Sequence, residues 1–80
     1  MPTVLRKNGF SFKIYTEYHA PMHVHVRYQN REAIILLGSE DERISIRENR
    51  GMNFAQLRRA INIADEHQMY LISKWREIYG

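Results

Sequence analysis

Through most of residues 3–47 apolar and polar side chains alternate in steps of two. From residue 53 to residue 79 apolar side chains recur in steps of three and four, with no proline or glycine between them. A period of two belongs to half-covered strands and a period near 3.6 to amphipathic helices, so this change of step predicts a sheet followed by helix. The fold class expected is α+β: an antiparallel sheet of four to five strands, covered on one face by a long C-terminal helix or helix pair.

Lys7-Asn8-Gly9 separates the first two alternating runs, 3–7 and 10–17, and Asn-Gly is favoured in tight hairpins because both central residues take positive φ. In the second run Phe10, Phe12 and Ile14 share the inward face, while Ser11, Lys13, Tyr15 and Glu17 share the other. His19-Ala20-Pro21 breaks the pattern, since proline donates nothing to a ladder. Alternation resumes from Met22 to Tyr28, turns at Gln29-Asn30 and returns from Glu32 to Leu37. The apolar run Ala33–Leu37 predicts an interior strand, or one also covered by another subunit. After the acidic loop Gly38–Glu42, Arg43–Arg47 forms the last predicted strand, with Ile44 and Ile46 inside and Arg43, Ser45 and Arg47 outside.

Asn49-Arg50-Gly51 is read as a turn, and Asn53 with Gln56 three residues on as a capping box. Phe54, Leu57, Ile61, Ala64, Leu71, Trp75 and Ile78 then mark the helical stripe. The segment is either one helix of about 40 Å or two bent near Asp65-Glu66-His67-Gln68. Met69, Ile72 and Tyr79 widen the apolar face, as if the C-terminal half packs on something besides its own sheet.

At 80 residues the chain makes one domain, 1–48 its sheet part and 53–79 its helical part, close to the smallest size at which one core suffices. The cysteine count is zero, which excludes disulfides, thiolate metal sites and a cysteine nucleophile. The start reads as no signal peptide, and no run approaches the ~20 apolar residues of a membrane span, so a cytoplasmic protein is expected. A net charge of +3, carried mostly by arginine, is compatible with RNA or an acidic partner protein and demands neither.

The chemistry lies in His19, His23 and His25. Residues 23 and 25 project from one face of a strand while Val24 and Val26 take the other. Imidazoles suit transition metals, so His19, His23 and His25 form a candidate metal site for a divalent transition metal, with Glu17 a fourth ligand or a base. The same residues support acid–base work on a phosphodiester: His23 and His25 as proton donor and acceptor, Arg27 on the same face as the cation. Lys13 and Tyr15 would complete that site, and Lys13, Arg27 and Arg47 are the candidate nucleic-acid contacts. The plainer alternative makes His23, His25 and Arg27 the solvated side of a half-buried strand. His67 stands alone in the helix and is left out of the site, and Trp75 on the stripe is read as core or as an interface anchor.

The start Met1-Pro2-Thr3-Val4-Leu5, the segment from Glu17 through His19-Ala20-Pro21-Met22-His23-Val24-His25 to Tyr28, the apolar strand after it and the ending Leu71-Ile72-Ser73-Lys74-Trp75 resemble the bacterial family called domain of unknown function 4160. Members usually read His-x-Pro-Pro-His-x-His. This chain departs from that in Ala20-Pro21-Met22 and keeps all three histidines. His19, Pro21, His23, His25 and Trp75 fall on the family's motif positions. The resemblance implies a small prokaryotic protein, often encoded beside one of the domain of unknown function 2442 type, and a component of a toxin–antitoxin pair. A small cognate protein partner or a homo-oligomer, with RNA as a possible target and no membrane, is the expectation it carries. The alternative function is a non-catalytic protein- or metal-binding module that regulates its neighbour.

Overall fold

The computed structural model describes residues 3–15 and 21–79. Five strands, β1 (Thr3–Lys7), β2 (Phe10–Lys13), β3 (His23–Tyr28), β4 (Arg31–Leu36) and β5 (Ser45–Arg50), precede two helices, α1 (Phe54–Glu66) and α2 (Gln68–Tyr79). Each strand pairs antiparallel with the next in chain order, so the sheet is a simple meander with β1 and β5 at its edges. The α+β expectation therefore holds. The β1–β2 turn has Asn8 at φ 54° and Gly9 at φ 85°, the left-handed pair that the Asn-Gly dipeptide supplies.

Alternation sorts the strands as expected. Phe10, Phe12, Ile14, Val24, Val26, Ala33, Ile35 and Leu37 lose all contact with solvent, packed with Ala60, Ala64, Leu71 and Trp75 of the helices. The small Ala60 and Ala64 are the fully buried residues of α1 and belong to the same core cluster as the inward residues of the strands. Both halves of the predicted capping box form: the Gln56 amide N–H donates to the Asn53 side chain, and the Asn53 N–H to the Gln56 side chain. The helical segment breaks once, at His67, whose φ of −116° leaves the helix while its Nδ1 pairs with the Ile63 carbonyl at 2.8 Å. His67 is thus a capping residue of the bend, and the two-helix alternative is the one realised.

Several boundaries move. β2 ends at Lys13, earlier than the run to 17, and residues 16 and 17 lie outside the described part. The last strand spans Ser45–Arg50, not 43–47. The loop before it closes by paired backbone hydrogen bonds between Ser39 and Glu42, which keeps Arg43 and Ile44 out of the ladder. The ladder in turn runs through the residues read as a turn, because the Asn49 side chain bonds both the N–H and the carbonyl of Met52 and makes the corner there. Ile46 is also corrected: it faces the helix side but stays 44% exposed, on an edge strand where an open groove separates it from α1. Among the described residues no helix is long and apolar enough to cross a membrane.

Candidate functional site

The strand registers fix what shares the face turned away from the helices. Arg6, Ser11, Arg27 and Glu32 form one cross-strand row, and Lys13, His25, Ile34 and Glu48 form the next. His23 stands opposite Leu36 in the row after that. Rows on one face are two residues apart along a strand, about 7 Å.

Between the second and third rows lies a cleft of about 270 Å³, bordered by Tyr15, His23, His25, Ile34, Arg47 and the Glu48–Arg50 pair. That size admits a phosphate group or a flat ring. Ile34 forms part of it, which explains why the Ala33–Leu37 run is apolar on both faces: Ile34 is buried by its own neighbours on the open side.

A β-bulge brings Arg47 to the cleft together with Glu48. Ile34 pairs with Glu48 and Ile35 with Ile46, leaving Arg47 as the extra residue. An inserted residue of this kind bends the strand and re-aims a side chain. Regular alternation from Ile46 would turn only Arg47 to the open face and Glu48 back to the helix side; with the bulge both border the cleft.

His25 is held on two sides. Its ring stacks on Tyr15, with centroids 4.1 Å apart and planes 7° from parallel, and its Nδ1 lies 3.0 Å from a Glu32 carboxylate oxygen. Both partners are largely withdrawn from water, their side chains 14% and 18% exposed. A carboxylate only accepts, so it holds a proton on Nδ1 and leaves Nε2 as the nitrogen that gives or takes a proton. Glu32 also pairs with Arg50 at 3.4 Å, and Arg50 donates to Glu48, closing a chain of alternating charge from imidazole to edge strand. The hydrogen bond from Arg50 holds the Glu48 carboxyl below its usual range, and Glu48 raises Arg50 in return.

His23 is the more enclosed of the two, 2% exposed. Its Nδ1 lies 2.7 Å from the Pro21 carbonyl, and its ring packs between His25, 5.3 Å away and edge-on, and Trp75, 5.2 Å away. Burial pushes its pKa below the ordinary histidine value; the Pro21 hydrogen bond opposes this, and the charges of His25 and Arg47 add to it. At neutral pH His23 is a neutral imidazole. The C-terminal end of α2 secures this corner, where Tyr79 packs on Trp75 and its hydroxyl donates to the Tyr15 carbonyl.

Of the residues singled out in the sequence, His23, His25, Tyr15 and Arg47 meet at the cleft. Lys13 stands directly across the ladder from His25, and Arg27 one row away on the same face. His19 and Glu17 lie outside the described residues. Among the described residues no group of three or more His, Cys, Asp or Glu side chains is gathered to hold a metal ion. The two imidazoles nevertheless have the outer partners that metal-bound histidines usually have, a carboxylate on His25 and a backbone carbonyl on His23. Glu32, Glu48 and Arg50 were missed by the sequence reading. Only the β3–β4 register, which sets Glu32 diagonally from His25, could have exposed the first of them.

The family model for the domain of unknown function DUF4160 matches residues 9–76. The chain belongs to that family, whose match runs from the first hairpin turn to the last turns of α2. No curated protein and no solved structure matches it.

Proposed function

We propose that this chain is the active component of a bacterial toxin–antitoxin pair, working in the cytoplasm on RNA through the face that carries His23 and His25. The observation that carries the reading is His25, clamped between Tyr15 and Glu32 at a cleft roomy enough for a phosphate group, with Arg47 and Arg50 beside it. Cleavage of RNA by its own 2′-hydroxyl needs a proton acceptor, a proton donor and positive charge for the oxygens of the pentavalent transition state. His23, kept neutral by burial, takes the 2′-hydroxyl proton as the 2′-oxygen bonds to phosphorus, closing a 2′,3′-cyclic phosphate. The phosphorus–5′-oxygen bond then breaks as the protonated form of His25, its charge balanced by Glu32, donates to the leaving oxygen. Arg47 and Arg50 face the developing charge, and Lys13 and Arg27 extend positive charge along the open face toward neighbouring phosphates.

Incubating the purified chain with single-stranded RNA and with DNA of the same sequence tests this. RNA alone should be cut, because DNA lacks the attacking hydroxyl. Induced expression should slow growth, and His23→Ala with His25→Ala should relieve it. Harmless expression at high level together with uncut RNA would defeat the reading.

The bonds from both Nδ1 atoms favour one second reading, a non-catalytic metal-binding module that regulates a neighbouring protein. Metal analysis of untagged protein separates the two. A stoichiometric transition metal lost on His25→Ala, with RNA left intact, selects the module.

A further inference from the structure

On the opposite side of the molecule an apolar groove of about 330 Å³ runs between β5 and α1, lined by Ile44, Ile46, Phe54, Leu57 and Ile61 with Arg58 at its rim. Phe54 is 77% exposed, unusual for a large apolar side chain on a helix that also has a buried face. Positions 54, 58, 61 and 65 fall along one stripe of α1, well away from the stripe of Ala60, Ile63 and Ala64 that packs on the sheet.

The order of charges on this helix is unfavourable for a helix standing alone. A macrodipole favours acidic residues in the first turn and basic residues in the last. α1 has neither, and instead places Arg58 and Arg59 toward its start and Asp65 and Glu66 at its end. Arg59 is accounted for, its guanidinium lying over the rings of Phe10 and Tyr28. Arg58 and Asp65 are exposed and form no ion pair among the described residues.

We propose that this groove is the interface with a second copy of the chain, the two α1 helices crossing antiparallel about a two-fold axis beside Ile61. Arg58 lies three residues before Ile61 and Asp65 four after it, so an antiparallel copy sets Arg58 opposite Asp65 twice, once on each side of the axis. An isologous contact requires this reciprocity, and a layout of both signs on one stripe satisfies it with an identical partner, whereas a partner of one sign would meet repulsion at one end. The crossing joins the apolar grooves of the two copies around Ile61. It leaves the histidine cleft open on the far face of each sheet.

Sedimentation of the full chain over a concentration series, for the wild type and for Arg58→Glu, Asp65→Arg and the double swap, tests the proposal. The wild type should dimerise. Each single reversal turns two attractions into two repulsions and should raise the dissociation constant about ten- to thirtyfold, and the double swap should restore it. Both reversals suit the helix dipole, so unchanged far-UV circular dichroism will show that weakened association is not unfolding. Phe54→Ser, at a position exposed in the monomer, should weaken the dimer as well. A wild-type monomer throughout the series, including one that binds only a different protein, overturns the proposal. So does a dimer indifferent to the single reversals, or a double swap weaker than either.

Discussion

On the helix side of the sheet, Phe10, Phe12, Val24, Val26, Ala33 and Ile35 are sealed from water. On the other side the same three strands present Ser11, Lys13, His25, Arg27 and Glu32, half-buried or exposed. The strands are identical and only the parity of the residue number differs, so the two faces divide the labour: one supplies cohesion and the other supplies charge and titratable groups. His23 is where the division is crossed. It belongs by parity to the charged face, yet it is buried against Trp75 of α2.

The most severe way to break the contrast is on the cohesive side. Phe12→Ala removes a fully buried ring and should cost about 3–5 kcal/mol in denaturant unfolding, a large share of what so small a domain has. On the charged side His25→Ala should lower RNA cleavage by about 10²- to 10⁴-fold while moving the unfolding midpoint far less. The two variants together test whether activity and stability separate by face.

His23 should show both characters. Because its folded pKa lies below the unfolded value of 6.5, the unfolded chain binds more protons between the two, and stability is lost as pH falls from about 6.5 through the folded value. The slope contributed by this one group is at most about 1.4 kcal/mol per pH unit. Unfolding measured from pH 8 to pH 5 should show it, and His23→Asn should flatten it. The smallest effect belongs to Arg27→Ala. Set one row from the cleft, it should weaken RNA binding modestly, reduce the salt dependence by about one counterion and leave the turnover of bound RNA unchanged.

How much of this was legible in the sequence follows the range of the forces involved. Local signals read true: the Asn8-Gly9 turn, the Asn53–Gln56 box, the inward Phe10, Phe12 and Ile14, and the shared face of His23 and His25 each depend on neighbours a few residues apart. What failed depends on pairing across the sheet. Arg43–Arg47 alternates well enough to be taken for the strand, yet the loop closure at Ser39 and Glu42 delays it, and one extra residue in β5 is invisible to a period-of-two reading. Glu32 reads as an ordinary surface acid until the register sets it beside His25.

The bulge at Arg47 sits in an edge strand, so adding or removing that one residue would slide only that rim of the sheet and leave the other four strands in step. The imidazoles and the arginines of the cleft therefore stand on separately adjustable parts. An edit confined to the rim changes the charge beside the cleft and leaves His23 and His25 where they are.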